Sequence, residues 1–357
     1  MKQTISMRQA GIMMLFCILA NKMLLLPSEM FKYMRADGVI AVIFLFALDF
    51  VALPIFLKLK RNNPDKKLIE IVSKYLTKYV AKAIFIVLMA FMLFKALLTF
   101  SVVYDYFKRQ IYQDEFIWMA LICIFPIMNH AVIKGLRPTA RTMELLFSFV
   151  VVGIFICFFI SFFTTLTIPS FFVVPAGKII SGAYRYIFLF GDFSLLFLIM
   201  DKIEYKKSEE KQIYKFTIFG MAIVVVLFVI FFAKYNITAF MHNNALADIL
   251  VFSVQFNAIG RLDIIAMMTI MTFATFQMEI FCLAFCQSFE GVFPLLNKKW
   301  AIITFDLAFF LLYYLFVGKY EVIVSTTTQF LPILGIAVAY VLPIILWIIS
   351  LKRRKNE

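Results

Sequence analysis

The stretch FTIFGMAIVVVLFVIFFA, residues 216–233, decides the class of fold. These 18 residues carry no charge, and a helix needs about 20 mostly apolar residues to cross the hydrocarbon core of a bilayer. Over the 357-residue chain, 64% of residues are hydrophobic and 16% are charged, against roughly 45–50% and 25% in soluble domains. A water-soluble fold has no interior for so much apolar surface, so the composition predicts an all-α integral membrane protein in contact with the lipid bilayer.

Similar apolar runs recur along the chain and predict about ten transmembrane helices within a single domain, 1–357. The runs are 8–26, 38–57, 81–103, 115–133, 143–165, 182–200, 214–234, 262–286, 299–317 and 328–350. With this set of spans, 23 Lys and Arg residues fall on one side and 6 on the other. Because Lys and Arg concentrate in cytoplasmic loops, the split predicts that both the N- and C-termini are cytoplasmic.

Several functional classes find no support in the sequence. The net charge of +14 comes from basic residues between the apolar runs, which membrane orientation explains better than nucleic-acid binding. Phosphate-binding loops, dinucleotide-binding turns and metalloprotease or hydrolase motifs are missing from the sequence. His130 and His242 have no partners at ligand spacing, and the five cysteines lie in apolar runs. We therefore expect no enzyme activity, no cofactor and no metal site.

Ten spans divide into two sets of five, with half-repeats of about 8–165 and 182–350. An odd number of spans per set makes the second set run inverted to the first, and in transporters of this kind the first helix of each half is often broken near the midplane, where substrate binds. Spans 1 and 6 each carry a polar interruption. The predicted ligand-binding residues are Ala20, Asn21, Lys22, Phe190, Gly191 and Asp192.

Ionisable side chains within spans are costly and are therefore candidates for function. Lys22 and Asp192 are expected to face one cavity; alternatively, each simply neutralises a neighbour inside the bundle. Lys95 could pair with Asp49 or Asp306, or act as a fixed cation in place of a coupling sodium ion. For Glu279, a vestibule role and a packing role are both open.

Five short patches, in order along the chain, carry a resemblance to a known family. They are Ile5-Ser6 with Gln9, Leu24 with Leu26-Pro27, Gly135 with Ala140-Arg141 and Glu144, Phe190-Gly191-Asp192, and Gly260-Arg261-Leu262-Asp263. In these patches the sequence resembles the spore germination protein family, the permease-like B-type subunit of nutrient germinant receptors, which is similar to amino-acid and polyamine permeases. Chain length and span count also fit, so the resemblance covers essentially the whole chain.

The resemblance implies a receptor subunit in the spore inner membrane or cell membrane. It would bind a small germinant, amino-acid-like, and trigger germination with other receptor subunits; a secondary transporter of an amino acid or amine is the alternative. The chain departs from the family pattern in span 1, where Ala20 and Lys22 stand at positions that are commonly glycine. Lys22 could hold a ligand carboxylate there, or could occupy the amine subsite and exclude amino acids. Before span 4, Gln113-Asp114-Glu115 replaces a common Thr-Pro.

Overall fold

A computed structural model describes residues 4–64, 66–110, 116–162, 166–242, 244–251, 263–316 and 320–353. These residues are almost entirely helical, and the only β-type pairing among them is one isolated bridge between Ile5 and Ile203. The α-helices are α1 (Met7–Leu24), α2 (Leu26–Met34), α3 (Gly38–Phe50), α4 (Ala52–Asn62), α5 (Leu68–Tyr75), α6 (Lys78–Gln110), α7 (Phe116–Lys134), α8 (Leu136–Ser161), α9 (Ala176–Tyr186), α10 (Ser194–Leu198), α11 (Glu210–Tyr235), α12 (Ala245–Val251), α13 (Asp263–Val292), α14 (Lys298–Phe316), α15 (Tyr320–Gln329), α16 (Pro332–Ile336) and α17 (Leu342–Arg353).

Short segments of other helical types join several of these helices. The 3-10 segments are Arg35–Asp37, Ile187–Leu189, Met200–Lys202, Lys207–Glu209 and Asn236–Met241. A π-helical segment, Ala337–Val341, lies between α16 and α17. Segments of π-helix are rare in proteins, and those that occur often lie at functional sites. The last apolar run, 328–350, is therefore a candidate to contribute to a functional site.

Six helical stretches of the described chain are long and apolar enough to cross a membrane. They are Leu26–Asn62, Lys78–Lys108, Leu136–Ser161, Ala176–Leu198, Lys207–Met241 and Ile265–Val292. A seventh is counted if Val322–Gln329 and Pro332–Ile348, which meet at a bend of 53°, form one span. Every one of the ten predicted apolar runs overlaps a helix, so the helical membrane class is confirmed, while the count of ten spans and the inverted repeat stay predictions.

Helix α1 lies at the centre of the bundle. It packs chiefly against α11 and α13, and α13 packs along α6. Its side chains are buried on every face beyond the first turn, as expected for a helix that is apolar all round. A Cβ added to Gly11 would lie 3.1 Å from Cα of Ile213, so this glycine permits the close approach of α1 and α11.

The predicted break in helix 1 is wrong. Helix α1 runs continuously through Ala20, Asn21 and Lys22. The chain only turns at Leu25, which keeps helical dihedral angles (φ −85°, ψ −43°), before α2 begins. Alanine and lysine are strong helix formers, so with Ala20 and Lys22 at these positions the backbone has no local reason to unwind.

The sixth predicted span, 182–200, is in contrast broken where the sequence predicts it; it is called helix 6 below and is distinct from α6. Helix α9 gives way to one 3-10 turn; Phe190 is then extended (φ −95°, ψ −170°), and α10 begins only at Ser194. Between them Gly191 has a φ of +82°, where its Cβ, if present, would lie 2.7 Å from Cβ of Ala339. A left-handed φ and this close contact with the π-helical segment both require glycine.

The residues before α1 connect two distant parts of the chain. Ile5 N donates to Lys202 O at 2.9 Å, and Glu204 N donates to Ile5 O at 2.8 Å. Ser6 caps α1 and forms a capping box with Gln9, whose Nε2 also donates to Glu144 Oε2 on α8 at 3.0 Å. Two of the family patches, around Gln9 and around Glu144, therefore contact each other.

Candidate solute-binding site

Three charged side chains meet at the break of helix 6. Lys22 Nζ from α1 forms an ion pair with Asp192 Oδ2, and Lys95 Nζ from α6 lies 2.5 Å from Asp192 Oδ1. All three side chains are at most 2% exposed. We call them the central triad. Buried charges are tolerated only when they are paired and hydrogen-bonded, and Asp192 is shared by both lysines.

Lys95 also satisfies the carbonyl groups that the break leaves without helical partners. Its Nζ donates to Phe190 O at 2.7 Å and to Leu189 O at 3.3 Å. The last carbonyls of a helix carry partial negative charge, so an ammonium group is a favourable partner there. The ion-pair partner of Lys95 is Asp192. The sequence-based alternatives that paired Lys95 with Asp49 or with Asp306 are therefore wrong.

Asp49 on α3 reaches the same break from another side. Its Oδ1 accepts a hydrogen bond from Gly191 N at 2.9 Å, while its buried Oδ2 has no hydrogen-bond partner among the described residues. With Asp49 included, two lysines face two aspartates, so the buried charges balance when all four are ionised. The Asp49 carboxylate thereby also holds the main-chain amide of Gly191, the residue of this segment with a positive φ.

An uncharged hydrogen-bond network links α1, α6 and α13 beside the triad. Asn21 Nδ2 donates to Thr99 Oγ1 at 2.9 Å, and Gln277 Nε2 donates to Cys17 O at 2.8 Å. Thr99 Oγ1 also lies 2.9 Å from both Gln277 Oε1 and Lys95 O. Sequence reasoning missed Thr99 and Gln277 because, outside the interruptions of spans 1 and 6, it considered only ionisable residues. The available signal was that Thr99 lies one helical turn after Lys95.

Aromatic rings enclose the two ammonium groups. Lys22 Nζ lies 5.0 Å from the centroid of the Phe190 ring, and Lys95 Nζ lies 4.8 Å from that of Phe91, within the range of cation–π attraction. Tyr340, in the π-helical segment, is partly buried, and its hydroxyl has no hydrogen-bond partner among the described residues. The two ammonium groups therefore lie among aromatic rings, with a buried polar atom nearby that has no hydrogen-bond partner among the described residues.

The remaining predicted residues lie apart from the triad. Glu279 on α13 accepts a hydrogen bond from Thr139 Oγ1 on α8, and Asp306 on α14 accepts one from Asn129 Nδ2 at 2.7 Å. Ala20 is buried in α1. Within the described residues, no three His, Cys, Asp or Glu side chains are grouped as a metal site would require. Of the other ionisable residues singled out in the sequence, Lys95 and Asp49 therefore lie with Lys22 and Asp192. Glu279 and Asp306 lie elsewhere.

Long apolar helices, one of them broken at a buried charged cluster, define a multi-pass membrane protein of the permease-like class. The family model described as spore germination protein matches residues 4–321, and this chain belongs to that family. Its fold is similar to that of the manganese transporter of Eremococcus coleocola, solved in complex with an aromatic bis-isothiourea substituted compound, at a TM-score of 0.60 and 10% identity, covering 96% of this chain and 78% of the transporter. No curated protein matches the chain in sequence.

The family resemblance expected from the sequence is thereby confirmed. Four of its five patches lie within the described residues, whereas residues 260–262 of the fifth lie outside them. The Phe190–Asp192 patch forms the break itself. The membrane setting and the permease-like role are therefore established for this chain.

Proposed function

We propose that this chain is the membrane subunit of a germinant receptor. It binds a small, amino-acid-like nutrient at the break of helix 6 and triggers spore germination together with other receptor subunits. The observation that carries the proposal is the sharing of buried Asp192 between Lys22 and Lys95. Membership of the spore germination protein family supports the biological setting.

Lys95 acts in this proposal as a fixed cation. Two main-chain carbonyls and one carboxylate surround its ammonium group, and oxygen ligands of this kind are those that hard metal cations prefer. A cation tethered to α6 therefore occupies the position in which an ion-coupled transporter would hold a coupling ion. This supports a sensing role, since such a cation cannot be released down a gradient.

Lys22 is the group that an amino acid would displace. The ammonium group of the solute would pair with Asp192, and its carboxylate would pair with Lys22, so the exchange replaces the one buried Lys22–Asp192 pair with two pairs to the solute. Separating a buried pair without replacement costs about 3–5 kcal/mol, which selects solutes that carry both charges. Because Asp192 lies two residues before the start of the short helix α10, the exchange would also move that helix, and this movement is the signal to partner subunits.

The proposed architecture is the ten-span, 5+5 inverted arrangement, in a single domain over 1–357. The half-repeats are about 8–165 and 182–350, both termini are cytoplasmic, and the membrane is the spore inner membrane or the cell membrane. The helices that overlap all ten apolar runs and the transporter-like fold support it. Helix 6 carries the break, and α1 supplies its charge from a continuous helix.

Substitutions that keep side-chain size test the site in the intact receptor. In Lys22→Met and Asp192→Asn, the nutrient concentration for half-maximal germination should rise roughly 10- to 150-fold, because a charge-assisted contact of about 1.5–3 kcal/mol is lost. The control is Lys32→Gln, which removes a lysine paired with Glu29 near the end of α2; its response should stay normal.

Abundance in the membrane must be measured beside germination for each variant. Near-normal abundance with a lost response supports ligand binding. A normal response in both site variants contradicts the proposal. Loss of both proteins from the membrane would instead identify a purely structural ion pair.

A secondary transporter of an amino acid or amine is the second candidate, favoured by the likeness in fold to a transporter. Uptake of labelled amino acids into vesicles that contain this chain alone distinguishes the two. Accumulation of many labelled solute molecules inside the vesicle for each copy of the chain would favour the second candidate. Binding without accumulation, together with a germination response that needs partner subunits, would favour the receptor.

A further inference from the structure

A cavity that is separate from the central triad lies between α7, α8 and α13. Its volume is about 640 Å³. Most of its lining surface is apolar, and its polar side chains are His130, Lys134, Thr139, Thr142, Thr272, Thr275 and Glu279. The proposed function assigns no role to any of these residues.

The Glu279 carboxyl group is the unusual feature of this cavity. The residue is 3% exposed, and no Lys or Arg of the described chain lies within ion-pair distance of it. Thr139 Oγ1, the hydrogen-bond partner of Glu279 among the described residues, also lies 3.1 Å from Gly135 O, and a hydroxyl group has a single proton to share between these acceptors. A buried carboxylate with so little support favours a cationic partner.

The cavity opens towards lipid. At its mouth Ile127 is 60% exposed and Leu146 is 36% exposed, and both belong to helices of the apolar bundle. In a bilayer such side chains contact acyl chains. Lys134, the last residue of α7, also lines the cavity, and a lysine at the end of a spanning helix lies at the level of the lipid head groups.

We propose that this cavity binds a membrane phospholipid whose head group carries a primary ammonium. The ammonium group pairs with Glu279 and the threonine hydroxyl groups, the phosphate faces Lys134, and the acyl chains lie along Ile127 and Leu146. The two charges of such a head group match the buried carboxylate and the lysine at the mouth in sign and order. A choline head group has no N–H donor for the carboxylate, and a glycerol head group has no positive charge.

Lipid competition on the purified full chain tests this proposal. The probes are phosphatidylethanolamine, phosphatidylcholine and phosphatidylglycerol with identical acyl chains, and bound lipid is counted by native mass spectrometry. We expect at least a tenfold preference for phosphatidylethanolamine over each of the other two. Glu279→Gln should abolish the preference, whereas Asp306→Asn, a matched change at another intramembrane carboxyl group, should leave it intact.

Leu146→Trp is a second variant that keeps the test decisive if Glu279→Gln is unstable. The larger side chain would fill the lipid-facing mouth and should lower binding of phosphatidylethanolamine about tenfold while Glu279 is unchanged. Equal binding of all three lipids, or of phosphatidylethanolamine and phosphatidylglycerol, would overturn the proposal, as would an unchanged preference in stable Glu279→Gln. The assay does not involve germination, so its outcome is independent of the site at Lys22 and Asp192.

Discussion

The contact between the helix-6 break and the π-helical segment makes Gly191→Ala a quantitative test of the fold around the site. Gly191 has a φ of +82°, and a Cβ built on it would lie 2.7 Å from Cβ and 3.3 Å from Cα of Ala339. Carbon atoms pack best at roughly 3.5–4.0 Å. The new methyl group therefore meets both an unfavourable backbone conformation and a neighbour with no free rotation.

The two costs can be assigned separately. A left-handed conformation costs an alanine about 1–2 kcal/mol, and inserting a methyl group into a packed interior costs about 1–3 kcal/mol. Gly191→Ala should therefore lower the free energy of unfolding by roughly 2–5 kcal/mol. Adding Ala339→Gly removes the nearest carbon and should recover most of the steric part, but none of the conformational part.

Gly177→Ala is the matched control, because nothing lies within 4 Å of the Cβ that it would add. Since Gly177 lies in the first turn of α9, alanine there should be neutral or stabilise the protein by up to about 1 kcal/mol. The measurement is equilibrium unfolding in mixed detergent micelles for the wild type, the three single variants and the double variant. A Gly191→Ala change below about 0.5 kcal/mol, or no coupling between positions 191 and 339 in the double-mutant cycle, would refute the reasoning.

Two further substitutions test individual contacts. Asp37 accepts hydrogen bonds from the main-chain N–H groups of Phe172, Val173 and Val174 at 2.5–2.9 Å, so Asp37→Asn should cost about 2 kcal/mol of unfolding free energy and speed protease cleavage near residue 172; unchanged cleavage would contradict this. The Tyr340 hydroxyl has no partner among the described residues, so Tyr340→Phe should leave the free energy of unfolding within about 0.5 kcal/mol of wild type. If that hydroxyl contacts the nutrient, the same variant weakens the germination response; a loss of stability would instead reveal a structural hydrogen bond.

Hydropathy predicted the membrane class and the positions of the helices because burial in lipid depends on the composition of each run. The meeting of Lys22 with Asp192 was also predicted, since a buried charge needs a partner and the polar interruptions of spans 1 and 6 were few. Whether that pair binds a ligand stays a prediction. The break in helix 6 followed from Gly191, whose flexibility is visible in the sequence.

The partner of Lys95 could not be chosen from the sequence. Three aspartates lie in other spans, and hydropathy gives neither the depth nor the rotation of each helix with the accuracy of one side chain. Asp49 turned instead to the amide of Gly191, an acceptor–donor match that exists only once the break has formed. The error in helix 1 arose from analogy with inverted-repeat transporters, which assumed unwinding where Ala20 and Lys22 keep the helix.

The main-chain bridge between Ile5 and Ile203 ties the beginning of α1 to the segment that follows α10. Both hydrogen bonds join backbone atoms, so they do not depend on the identity of either side chain. The bridge thus joins the segment that follows α10 to a point 17 residues before Lys22 in the chain. A reporter group attached at Thr4, which is partly exposed beside buried Ile5, should therefore register movement of the segment that follows α10.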